Sequence, residues 1–126
     1  MGNIRHCRRY VVTGNGWIYC ANGKKAEFRV NDISASGVSI TTDSVLKEKD
    51  IILMEIYVYG NLLPFMKKAK GEVVRKQQGM GYRYGIRFIG LTDKDMIEMD
   101  EYLRLNCGGT ELHYTPYEVI HDDFSE

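Results

Sequence analysis

Two short runs of polar residues carry side chains suited to holding a flat, anionic ligand. The first is Arg5-His6-Cys7-Arg8-Arg9, in which Arg5 and Arg9 stand four apart and Arg8 adds a third guanidinium. The second is Asp32-Ile33-Ser34-Ala35-Ser36-Gly37, a carboxylate followed by a hydroxyl and then a glycine. A guanidinium can fork onto O6 and N7 of a guanine, pair with a phosphate, or stack on a purine face. A carboxylate such as Asp32 complements the N–H donors of a guanine, and the Ser34 hydroxyl both donates and accepts. Gly37 permits a backbone shape, or a close ligand approach, that a Cβ would block. Each run has a plainer reading. Arginines near a terminus are commonly a solvated tail, and an Asp/Ser turn commonly serves to join two strands. The two readings of the turn are compatible, since a ligand site needs a rigid one.

The elements that must position these runs are mostly strands. Residues 10–20, YVVTGNGWIYC, are β-branched and aromatic, with Gly14 and Gly16 expected to mark a bend or bulge. Ala21-Asn22-Gly23 is a hairpin signal. The return strand, about 25–31, alternates Ala26, Phe28 and Val30 against Lys25, Glu27, Arg29 and Asn31. Asp32 to Gly37 reads as a turn before a short strand, Val38–Thr41. A polar connection over 42–50 leads to an apolar strand at 51–59, and Asn61 and Pro64 read as the loop after it. A strand is expected over 67–76, a turn at Gln77-Gln78-Gly79, and another strand over 80–88. There Tyr82, Tyr84, Ile86 and Phe88 alternate with Gly81, Arg83, Gly85 and Arg87.

One helix is expected near the end. Thr92 is its N-cap, Asp93 and Asp95 suit its N-terminus, and Met96, Ile97, Met99, Tyr102 and Leu103 form its apolar stripe. Cys107-Gly108-Gly109 stops it. Short strands at close spacing followed by one helix imply a mainly all-β fold, a small six-stranded antiparallel barrel with a C-terminal α-helix. The expected divisions are a basic arm over 1–9, the barrel and helix over 10–106, and an acidic tail over 107–126.

The order and separation of the two runs make them more specific together than apart. With the later Tyr84-Gly85-Ile86-Arg87-Phe88 segment before a helix, the chain resembles the PilZ domain family over about residues 5–106. The family's arginine motif falls on Arg5 and Arg9, and its second motif on Asp32, Ser34 and Gly37. The acidic tail has no counterpart in it. The resemblance implies a six-stranded barrel, cyclic di-GMP as the ligand and an effector role downstream of that messenger. Arg5, Arg8 and Arg9 on a mobile arm would then close on Asp32, Ser34 and Gly37, and the rearranged arm would pass the signal to a separate protein partner.

Composition narrows the alternatives. The 126 residues fit one domain, and 17 Lys plus Arg against 17 Asp plus Glu give a net charge of zero. That balance disfavours a general DNA or RNA binder, which needs a basic surface. The three cysteines lie far apart, as free thiols of a reducing compartment do. The start MGNIRHCRRY lacks the apolar core of a signal peptide and no apolar run is long enough to span a membrane, so a cytoplasmic bacterial protein is expected. No metal cluster, cofactor site or activated nucleophile is legible, so no enzymatic activity is expected. Two rivals remain beside the sensor. One is a PilZ-like protein–protein adaptor indifferent to the ligand, which would have no reason to keep both motifs. The other is a small-barrel nucleic-acid binder.

Overall fold

The computed structural model describes residues 8–20, 23–79 and 81–108. Seven strand segments and one helix follow in order: β1 (Tyr10–Val11), β2 (Thr13–Tyr19), β3 (Lys25–Ile33), β4 (Gly37–Thr42), β5 (Ile51–Tyr59), β6 (Pro64–Gly79), β7 (Gly81–Ile89) and α1 (Asp93–Cys107). All pairings are antiparallel, in the order β1-β3-β2-β5-β6-β7-β4, and β3 also pairs with β4. That last pairing closes β2 to β7 into the expected six-stranded barrel. β1 runs along the far part of β3, with Tyr10 opposite Ile33 and Val11 opposite Asp32. It is the beginning of the β2 run, interrupted at Val12.

The barrel interior follows from alternation. On β5, Ile52, Met54, Ile56 and Val58 are buried while Ile51, Leu53 and Tyr59 are exposed. Ile18, Phe28, Val30, Ile40, Val73, Tyr84 and Ile86 complete the same interior. Gly14 and Gly16 do not mark a bend or bulge. Both are buried in regular register with β5, and Gly16 also stands opposite Phe28 of β3, where a Cβ on Gly16 would lie 2.1 Å from the Glu55 carbonyl and 2.5 Å from the Phe28 ring. They are bare because the strands crowd there, not because the chain turns. The expected turn at 77–79 is also strand: β6 continues to Gly79, which pairs with Gly81. Pro64 likewise begins β6, opposite Tyr59.

Helix α1 starts as expected. Asp95 N–H donates to Thr92 Oγ1 and Thr92 N–H to Asp95 Oδ2, both at 3.1 Å, a reciprocal capping box. Met99 and Leu103 are buried, whereas Ile97 is 61% exposed and lies off the packed stripe. The helix packs on β1 and on the connection between β5 and β6. The Tyr102 ring stacks on Phe65 with centroids 4.6 Å apart, and Asn106 accepts from the backbone of Leu63 through its side chain and of Asn61 through its carbonyl. Cys107, placed by the sequence reading at the start of the tail, is the last helical residue and is buried.

Candidate functional site

The site is created by a defect in the sheet. Between Val30 and Asp32 the β3–β4 register slips by one residue, so that Val30 faces Ile40 while Asp32 faces Ser39. Asn31 is the extra residue of this bulge. Strict alternation from Phe28 and Val30 would turn Asp32 into the apolar interior. The bulge aims it outward and returns Ile33, fully buried, to the core. Asn31 is held by a hydrogen bond from its Nδ2 to Thr41 Oγ1 at 2.9 Å. A second slip, in β6 between Val73 and Arg75, sets Arg75 opposite Gly85. A lateral row therefore runs Asp32, Ser39, Gly85, Arg75 across four strands, beside a row of Gly37, Arg87 and Glu72. The two glycines bring no side chain to this outer shelf of the barrel, although both, like Ser39, are buried, and Arg83 stands one row further along, opposite Thr41.

Arg9 reaches this shelf from just before β1. Its Nε donates to Asp32 Oδ1 at 2.7 Å, its Nη2 lies 2.6 Å from the same oxygen, and its Nη1 donates to Ser34 Oγ at 3.3 Å. Arg9 is 4% exposed. The sequence reading had Arg9 outside the core on a mobile arm. The side chain is instead buried, and it already joins the two motifs to each other. The reason is that Asp32 and Ser34 are themselves buried and would otherwise be poorly compensated, so the nearest guanidinium is drawn in.

Ser34 is chiefly a turn residue. It is fully buried, its N–H donates to the Gly37 carbonyl at 2.8 Å, and its Oγ accepts from the Ser36 N–H at 3.2 Å. The turn is shorter than Asp32 to Gly37, because Asp32 and Ile33 belong to β3. Gly37 begins β4 in ordinary extended geometry. Among the described glycines only Gly23 and Gly90 have positive φ. A special backbone shape is therefore not what Gly37 supplies; it is a buried position without a side chain. Arg8 is exposed beside the buried Arg9. Arg5 lies outside the described residues, as do His6 and Cys7.

Three positions were missed as site residues in the sequence reading. Arg83 is half-exposed, with Nε donating to Ser39 Oγ at 3.4 Å and Nη2 3.9 Å from Asp32 Oδ2. Ser39 and Gly85 form the shelf between them. The outward row Arg83, Gly85, Arg87 was legible as alternation, but nothing in it pointed to Asp32. Arg87 is ion-paired with Glu72.

The arrangement can hold anions and purine edges, because it offers guanidinium donors and one carboxylate. The Ser34 hydroxyl is engaged by Arg9 and by its own turn. Among the described residues no group of three or more His, Cys, Asp or Glu could hold a metal ion. Burial raises the Cys107 thiol above its ordinary pKa, which disfavours the thiolate. Among the described residues no helix is long and apolar enough to cross a membrane.

The family model of the PilZ domain matches residues 3–105. Among solved structures the chain is similar to YcgR from Escherichia coli in complex with c-di-GMP, at 16% identity and a TM-score of 0.63, over 77% of this chain and 43% of that one. It is similar to the Bacillus subtilis inhibitor of motility, MotI/DgrA, at 11% identity and a TM-score of 0.66, over 76% and 47% of the two chains. It is also similar to the PilZ domain of YcgR from Escherichia coli with c-di-GMP, at 14% identity and a TM-score of 0.54, over 79% and 93%. The alignments thus span less than half of the first two proteins and nearly all of the isolated domain. At these identities the likeness is one of fold. No curated protein matches the chain in sequence.

Proposed function

The chain belongs to the PilZ domain family, and on that footing we propose that it is a receptor for cyclic di-GMP that carries no catalysis of its own. The junction of Arg9 with Asp32 and Ser34, which joins the two motifs, is the observation that carries this proposal. It unites the two motifs in one place, on the outside of a rigid barrel, where a flat dinucleotide can lie. Two of the similar structures, both of YcgR, hold c-di-GMP, which supports the choice of ligand.

Arg9 acts here as an anchor. It neutralises Asp32 through Oδ1 and leaves Oδ2 to face the shelf. Arg8, exposed next to the anchor, and Arg5, one helical turn's length of sequence earlier, are the guanidinium groups that close over the ligand's phosphates. Gly37 and Gly85 let a purine approach the backbone. Ligand contacts thereby order the segment before Arg9, and the reorganised arm is what a separate protein partner reads, because the barrel has little freedom to change.

Titration calorimetry with cyclic di-GMP tests the receptor role, with Arg8→Ala and Arg5→Ala as comparators. Saturable binding by the native protein that weakens by about tenfold or more in each variant is expected. Hydrogen exchange then tests the signalling step: amides of residues 4–8 should gain protection with ligand while β5 and β7 stay nearly constant. Absence of binding at millimolar ligand refutes the receptor role. Binding without any change in residues 4–8 refutes the arm as the signal.

A further inference from the structure

We propose that Arg83, which belongs to neither motif, is a guanine-reading residue that works as a pair with Asp32; the proposal rests on the receptor role above. Asp32 Oδ1 accepts from Arg9 Nε at 2.7 Å and lies 2.6 Å from Arg9 Nη2 in an ion pair. Among the described residues, Arg83 Nη2 is the cation that stands near Asp32 Oδ2, and the 3.9 Å between them is too long for a hydrogen bond. The Nε of Arg83 donates to Ser39 Oγ at 3.4 Å. Among the described residues its two terminal nitrogens make no hydrogen bond, and half of the side chain meets solvent.

The shelf therefore presents an acceptor, Asp32 Oδ2, and a donor, Arg83 Nη2, side by side with a gap between them. A guanine edge carries the complementary sequence, the N1–H donor followed by the O6 acceptor. Seated in the plane of the shelf, it would give N1–H to Asp32 and receive Arg83 at O6. An adenine edge reverses both signs: its bare N1 would face the carboxylate and its amino group would face the guanidinium. The pair is thus attractive to one purine and repulsive to the other, and discrimination by repulsion is the stronger kind. Gly85, opposite Ser39 and two residues along β7 from Arg83, puts no side chain beside the pair. Arg87 cannot serve in the same way, since Glu72 holds it one row away.

The test compares native protein and Arg83→Met by calorimetric titration with cyclic di-GMP at several salt concentrations. Methionine keeps the apolar stem and removes the donors, and the exposed position leaves the barrel intact, which the urea midpoint verifies. A loss of affinity of about ten- to a hundredfold is expected, the typical worth of one base-edge contact. The slope of log affinity against log salt should stay unchanged, because a base-edge contact displaces no counterion. A slope lower by about one unit would mean that Arg83 pairs with a phosphate, and would overturn the proposal. Native binding with equal affinity in Arg83→Met would overturn it while leaving the receptor role standing. No binding by the native protein would remove both.

Discussion

Replacing Arg9 by methionine should destabilise the barrel before any ligand is considered. The guanidinium is 4% exposed, and the Asp32 side chain it neutralises is 11% exposed. Removing one member of a buried ion pair typically costs about 3–5 kcal/mol, because the other charge stays behind without compensation. Two features place this pair at the low end. Asp32 keeps a sliver of solvent contact, and Arg83 stands 3.9 Å from its second oxygen and offers partial compensation. Loss of the Nη1 bond to Ser34 adds little, since Ser34 Oγ keeps its backbone donor from Ser36. The sum is about 3 kcal/mol, a large share of the roughly 5–15 kcal/mol that holds a domain folded. With a urea dependence of about 2 kcal/mol per molar, the midpoint should fall by about 1.5 M. Arg8→Ala, at an exposed position, should stay within about 0.5 kcal/mol of native. The double variant Arg9→Met with Asp32→Leu should recover much of the loss, because it removes both charges together. A native midpoint in Arg9→Met would refute the reasoning and return Arg9 to a free arm. The magnitude also bears on ligand titrations. Weak binding by an Arg9 variant reports a damaged barrel as well as a lost contact, so Arg5 and Arg83 are the cleaner probes.

The N-cap of α1 should respond to acid. Asp95 is held below its ordinary 3.8, first by the backbone N–H of Thr92 and then by the Thr92 side chain. Its contribution is therefore fully present above the unfolded value and is lost as pH falls through the lowered folded value. Melting curves between about pH 5 and pH 2 should show a slope that Asp95→Asn removes, and identical curves for the two proteins would refute the cap's role. Gly16→Ala should cost about 3 kcal/mol or more, at the top of the overpacking range, because the new Cβ meets a β5 carbonyl that cannot swing aside. A urea midpoint equal to the native one would show that β2 and β5 are less tightly apposed than the structure has them.

Much of the barrel was legible because its code is local. β5 alternates over nine residues without interruption, and its bounds agree with the reading from sequence. The helix cap was readable because a Thr followed three residues later by an acid makes a short-range bond pattern. Turns fared worse. Gln77-Gln78-Gly79 has turn-forming residues, yet pairing with β7 through Gln77 opposite Arg83 extends the strand past them. Gly14 and Gly16 were misread for the same reason: a glycine says only that a Cβ is absent. Whether a bend or a neighbouring strand required its absence is a question of distance in space.

The sequence by itself determined which residues are polar enough to bind an anion, in what order they come, and that two strands separate the arginine run from the Asp/Ser run. These are properties of residue type and of spacing along the chain. Only the tertiary structure decided what those residues do to one another. Asp32 faces outward because the β3–β4 ladder slips at Asn31, and a slip depends on the partner strand as much as on the strand that bears it. Arg9 is an anchor because a carboxylate buried 23 residues away has to be neutralised by whatever cation can reach it. Arg83 comes to the same carboxylate from the opposite side, across β4, over a separation of 51 residues that no local pattern encodes. Charge compensation in a low-dielectric setting acts through space, and the closure of the barrel is what brings the three side chains within its range.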